Sequence, residues 1–153
     1  MFEFVIIPVA VVSGDGILKK FAKKTLSDGK TRRHAWGRVL LRLFHNPGVA
    51  LGGLKNHPRA VLGINGVLLC ATAGVLAALL RHPGKLAAKT GLALMLGGGG
   101  SNFTERLRHG FVTDYVSFNF GKRLARLNKV VFNCSDFCVF IGAVLFVAEA
   151  PNL

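Results

Sequence analysis

Apolar and polar positions alternate along this chain as four greasy runs, approximately 1–18, 60–80, 86–100 and 130–148, separated by basic or turn-forming segments. The first, Met1 to Leu18, is short and ends near Asp15 and Lys19. It lacks the basic n-region and small-residue cleavage pattern of a secretory signal, so it predicts an uncleaved first span. Asp15 and Lys19 stand four apart, which predicts a helical ion pair at the edge of that span. Ala60 to Leu80 is uncharged and close to the roughly 20 residues a bilayer needs. The polar turn Arg81-His82-Pro83-Gly84-Lys85 then predicts a short connection to a third run, which Lys89 interrupts. That run closes in Gly97-Gly98-Gly99-Gly100, predicting a helix end that another backbone can approach closely.

The fourth run, Val130 to Ala148, is long enough to cross a bilayer yet contains Asp136, with Asn133 three residues earlier. Helical spacing puts the two on one face, with Phe140 a turn further along. An ionisable group inside a span costs about 2.5–3.5 kcal/mol on insertion scales, so it marks a functional site by default. Between the runs, residues 19–59 hold eleven of the twenty Lys and Arg side chains. Within that segment Arg38 to Phe44 partly alternates and predicts a short strand, followed by a turn-rich stretch from Phe44 to Gly52. Val112 to Tyr115, around Asp114, is a second locally extended stretch, rich in β-branched and aromatic residues.

Composition sharpens this picture. Hydrophobic residues make up 51% and charged residues 18%, against about 25% charged in a soluble domain. The 153 residues therefore read as one membrane domain, 1–153. Lys and Arg number 20 against 7 acids, a net charge of +13. With so much of the chain apolar, phospholipid head groups are the expected partner and nucleic acid is not, because no soluble module with stacking aromatics is visible. Cys70, Cys134 and Cys138 lie in apolar runs without a CxxC spacing. They suggest neither a disulfide framework nor a metal site and read as small buried hydrophobes.

The chemistry rests on Asp114 and Asp136. Two carboxylates brought together in a low-dielectric site titrate as a unit and share a proton. The ionised one can then take a proton from water while the protonated one polarises a carbonyl, which suffices to hydrolyse an amide. Intramembrane acids equally suit a transporter or proton pathway, and spacing alone does not separate the two. No HExxH, GxSxG or P-loop pattern offers another chemistry.

Several ordered blocks carry a resemblance. Gly97-Gly-Gly-Gly-Ser-Asn-Phe-Thr-Glu-Arg106 and Gly110-Phe-Val-Thr-Asp-Tyr-Val-Ser-Phe118 look like a Gly-Gly-x-x-x-Asn-x-x-Asp-Arg block and a Val-x-Asp-Phe/Tyr block. Phe132-Asn-Cys-Ser-Asp-Phe-Cys-Val-Phe-Ile-Gly142, His45-Asn46-Pro47-Gly48, and Asp15 with Lys19 extend the match. Over nearly its whole length the chain resembles signal peptidase II, the bacterial lipoprotein signal peptidase. The resemblance implies a mainly α integral membrane fold: four transmembrane helices, a small extracytoplasmic β-region and a basic interfacial segment, with 19–59 and 101–129 outside. It implies a monomeric, cofactor-free and metal-free aspartic endopeptidase of the bacterial cytoplasmic membrane. Such an enzyme removes lipid-modified prolipoprotein signal peptides by cutting before the diacylglyceryl-cysteine, near the extracytoplasmic face. Asp114 and Asp136 fall on the catalytic positions, Asn46, Gly48, Asn102, Arg106 and Asn133 on substrate-binding or supporting positions, and Asp15 with Lys19 on a structural pair.

Two features depart from that pattern. Glu105 stands where the block has aspartate, which puts any fixed contact there in question. The basic loops follow the first and third runs, where charge would place them in the cytoplasm and the resemblance places them outside. A non-catalytic homologue acting as a membrane partner is the remaining alternative.

Overall fold

The computed structural model describes residues 2–27, 29–49 and 53–149, the Lys122 side chain excepted. Met1 of the first run, residues 50–52 of the turn-rich stretch and the ends of the 1–153 domain lie outside the described residues. The chain runs α1 (Glu3–Thr25), β1 (Arg32–His34), β2 (Val39–Asn46), α2 (Pro58–Leu79), α3 (Leu86–His109), β3 (Val112–Phe118) and α4 (Cys134–Glu149), with two single 3-10 turns before α4.

α3 is the axis against which the other helices pack. α2 starts with proline in its first turn, where the missing N–H costs nothing. α3 ends where Gly110, at φ 79°, takes the left-handed conformation and donates its N–H to the Arg106 carbonyl at 2.8 Å. A buried cluster of Phe4, Leu76, Leu92 and Ala93 closes one end of the bundle. The sheet closes the other. β1, β2 and β3 are antiparallel in that order, and the register slips between Leu41 and Phe44 as a bulge. The bulge lies at Arg42, whose guanidinium donates to the carbonyls of Asn128 and Lys129.

Of the four helices only α2 is both long and apolar enough to cross a membrane on its own composition. Several sequence expectations shift. The first helix extends past 18 to Thr25, because Lys19 is buried against neighbours and the chain continues through good helix formers, with Lys23 and Lys24 at its negative end. The glycine run is not a helix end but the middle of α3. A side chain on Gly98 would overlap the Ser135 carbonyl of α4, and Gly91 and Gly142 meet backbone to backbone in the same way. That close packing stabilises a glycine-rich helix whose intrinsic propensity is poor. The fourth helix begins at Cys134, not at 130, because residues before it are drawn into strand pairing: Phe132 bridges Val116 on β3. Cys70, expected to be buried, lies exposed on α2, of which only 11% of the most apolar window is covered by protein; Cys134 and Cys138 are half-buried.

Candidate active site

The bridge between Phe132 and Val116 is what brings the two aspartates together. It lays residues 130–133 along β3, so the start of α4 arrives beside Asp114. Asn133 then caps α4: its Oδ1 accepts the Asp136 N–H at 3.0 Å, and Asp136 Oδ2 accepts the Asn133 N–H at 3.0 Å. This reciprocal box differs from the expected arrangement, in which both side chains ride inside one helix. Asn133 sits just ahead of the helix and Asp136 in its first turn, where the helix dipole favours a carboxylate.

Because its backbone N–H and Oδ1 serve the cap, Asn133 keeps its Nδ2 for the site. That amide donates to Asp114 Oδ1 at 2.7 Å and to Asn102 Oδ1 at 3.2 Å. Asn102 Nδ2 in turn donates to Asp136 Oδ1 at 2.9 Å. On the far side Asn46 Nδ2 donates to Asp114 Oδ2 at 3.0 Å, while its Oδ1 accepts the Gly48 N–H. Each carboxylate thus accepts two N–H groups, and one residue, Asn133, supplies a donor to each: its side chain to Asp114 and its backbone to Asp136. Asn133 is fully buried and Asp114 nearly so. Burial first, and the charge of Asp136 second, push the Asp114 carboxyl up to about 7 despite its hydrogen bonds to Asn46 and Asn133.

Asp15 and Lys19 lie deeper than an interfacial pair. Asp15 is 0% exposed and Lys19 5%, with Nζ 2.7 Å from Asp15 Oδ2. Asp15 also accepts the Ser101 hydroxyl at 2.6 Å and the Ser135 N–H at 3.2 Å, which ties α1 to α3 and to the start of α4. Lys19 Nζ donates to Asn102 Oδ1 at 2.9 Å, fixing which end of that amide faces Asp136. The longer acid Glu105 keeps a firm contact: it takes the Thr113 N–H at 3.0 Å and hydroxyl at 2.6 Å, and pairs with Lys19 and Lys23. Arg106 Nη2 donates to the Gly48 carbonyl at 2.7 Å, holding the turn beside Asn46.

Every residue singled out in the sequence therefore joins one network: Asn46, Gly48, Asn102, Arg106, Asp114, Asn133 and Asp136, with Asp15 and Lys19 behind. Sequence reading missed Thr113, Ser101, Ser135 and Tyr115, whose hydroxyl accepts the Cys134 N–H at 3.1 Å. Their only signal was adjacency to residues already chosen. Asp114 and Asp136 face a cavity of about 550 Å³ bounded by α2, α3, α4 and β3, within the usual range for a ligand site. Among the described residues no cluster of His, Cys, Asp and Glu is arranged to hold a metal ion.

The model of a peptidase family, signal peptidase (SPase) II, matches residues 7–151. The chain belongs to the signal peptidase II family. Relatives include a lipoprotein signal peptidase of Lactiplantibacillus plantarum, 29% identical over 96% of this chain and 93% of its own length. One from Moorella thermoacetica is 26% identical over 93% of this chain and 88% of its own. One from Brucella ovis is 36% identical over 71% and 66%. The fold is shared with two structures described as bacterial membrane enzymes. The first superposes with a TM-score of 0.82 at 21% identity, over 99% of this chain and 89% of the other; the second gives 0.77 at 19%, over 98% and 93%. The sequence blocks quoted above meet in the polar network just described: within the glycine run Gly98 lets α3 approach α4, and the two Asp blocks supply its carboxylates.

Proposed function

We propose that this signal peptidase II homologue is an aspartic endopeptidase that cleaves lipid-modified prolipoproteins before the diacylglyceryl-cysteine. The observation that carries the reading is the pair of carboxylates from β3 and α4, linked through Asn133, whose side-chain amide holds Asp114 and whose backbone N–H holds Asp136, and facing one cavity. In the proposed mechanism the pair holds one proton near neutral pH, on Asp114, and Asp136 is ionised. A water between them gives its proton to Asp136 as its oxygen attacks the scissile carbonyl carbon. Asp114 passes its proton to the carbonyl oxygen, forming a neutral gem-diol. The diol then collapses: Asp136 returns its proton to the leaving nitrogen, the C–N bond breaks, and a diol hydroxyl proton goes back to Asp114. The products are a signal-peptide carboxylic acid and the free amine of the lipidated cysteine.

In this reading all four helices span the bacterial cytoplasmic membrane as one domain, with the carboxylates near the extracytoplasmic face. The basic segment 19–59 rests on phospholipid head groups, and the chain works as a monomer because it supplies both acids itself. A substrate anchored by its acyl chains lies in the bilayer, so an enzyme cutting beside the anchor must reach it there. Asn46, Gly48 and Arg106 shape the wall on the strand side, and Asp15 with Lys19 braces the floor. The test is cleavage of a lipidated prolipoprotein peptide by purified protein. Asp114→Asn and Asp136→Asn should each reduce turnover to background while accumulating normally in membranes; substantial cleavage by either removes the dyad from the mechanism.

A further inference from the structure

One wall of the cavity is a stripe of α2. Asn65, Leu68, Leu69 and Thr72 stand at i, i+3, i+4 and i+7 and all line it. Facing them on α4 are Val139, Phe140 and Ala143, so this half of the cavity is apolar. Three asparagines line the whole cavity, and two of them are committed. Asn46 holds Asp114, and Asn102 holds Asp136 while receiving Lys19. Thr72 turns its hydroxyl back to the Leu68 carbonyl at 2.8 Å. Among the described residues the Asn65 amide has no partner.

A carboxamide in an apolar wall without a hydrogen bond is unfavourable. It therefore gains on meeting a ligand that supplies both an acceptor and a donor. An extended peptide entering the same low-dielectric space has the matching need, since each main-chain N–H and C=O left unpaired there is expensive. An acyl ester has only acceptors and would satisfy half of the amide.

Resting on the peptidase reading above, we propose that Asn65 is a substrate-binding residue. It pairs with the main-chain N–H and C=O of the bound signal peptide, in the cavity that Asp114 and Asp136 also line. The side chain touches the substrate backbone and not the reacting atoms, so it sets affinity and alignment and takes no part in proton transfer.

The test is a two-way comparison on the purified protein, with the parent lipidated peptide and analogues in which one backbone amide ahead of the cysteine is replaced by an ester. Asn65→Leu, which is more apolar in a helix of this kind, should melt no lower than wild type. It should raise KM roughly 3- to 10-fold with kcat held within about twofold. For the amide that Asn65 engages, the ester analogue should cost wild type the same factor and cost Asn65→Leu nothing. Asn65→Gln, which keeps the carboxamide, should recover part of the affinity. An unchanged KM in Asn65→Leu overturns the proposal. So do independent, multiplying effects of the mutation and every ester, which would assign the amide to the lipid ester instead. A wild type that fails to cleave the parent peptide overturns the peptidase reading, and this inference with it.

Discussion

Asn133 does two jobs, and two substitutions separate them. Its Oδ1 caps α4, and its Nδ2 holds Asp114 while its backbone N–H holds Asp136. Replacing an asparagine cap with alanine costs about 0.5–2 kcal/mol. Removing a buried donor to an ionised or shared carboxylate costs a further 1.5–3 kcal/mol or so. Asn133→Ala loses both contributions, roughly 2–5 kcal/mol, whereas Asn133→Ser keeps a hydroxyl able to cap and loses only the second. For a domain of this size 1 kcal/mol moves Tm by about 2–4 °C, so the serine variant, which keeps the cap, should melt about 1–8 °C above the alanine variant. A thiol-reactive dye can follow the melt in detergent, because Cys134 and Cys138 are half-buried and become fully reactive on unfolding while exposed Cys70 gives a constant baseline. Both variants should lose about 100-fold or more in kcat/KM, since the direct link from Asp114 to the start of α4 is then gone and the two carboxylates lose their register. Equal melting temperatures for alanine and serine would refute the cap. Wild-type turnover in Asn133→Ser would refute the bridge.

Two further predictions concern the titration and the glycine run. With the Asp114 carboxyl raised to about 7, the shared proton is present below that pH and lost above it. Cleavage should therefore fall about tenfold per pH unit above neutrality, and a kcat/KM profile flat to pH 9 or so would contradict the assignment. Gly98→Ala and Gly100→Ala should move in opposite directions despite standing two positions apart. At Gly98 the new methyl overlaps the Ser135 carbonyl and comes within 2.9 Å of Val139, pushing on the turn that carries Asp136, whereas at Gly100 nothing lies within 4 Å. The first should destabilise the protein and depress turnover. The second should leave turnover intact and raise stability by up to about 1 kcal/mol through helix propensity, measured by the same melts and cleavage assay.

What could be read from the residues was what depends on neighbours in sequence. The uncharged run 60–80 became α2 (Pro58–Leu79) almost to the residue, and alternation around Arg38 to Phe44 and Val112 to Tyr115 became β2 and β3. The amides and acids of the site were recoverable because each sits in a short motif. The contacts that give them meaning were not: Lys19 meets Asn102 across 83 positions and Asp15 meets Ser135 across 120. Propensity pointed the wrong way at Gly97–Gly100, where close approach of α1 at Gly97, α4 at Gly98 and α2 at Gly99 outweighs the cost of glycine, and at 130–133, where pairing with β3 overrides the apolar run. Glu105 could only be read as a departure, because its partner Thr113 is chosen by how α3 and β3 meet. Asn65 passed as one more uncharged residue in a span, since a polar amide shows its purpose only when its neighbours are seen to be occupied.

The buried ion at Asp15 and Lys19 has a bearing on how such a chain enters lipid. Among the described residues α2 is the one helix apolar enough to remain there unaided, whereas α1 carries Asp15 and Lys19, which pair with each other but complete their bonding only on α3 and α4. Until those later segments emerge from the ribosome, that pair has no further polar group to meet in lipid. Biogenesis on the membrane reading is accordingly a delayed, collective event: the opening helix waits at the translocon or the bilayer surface and settles only when the later helices arrive to complete the bonds of its ion pair.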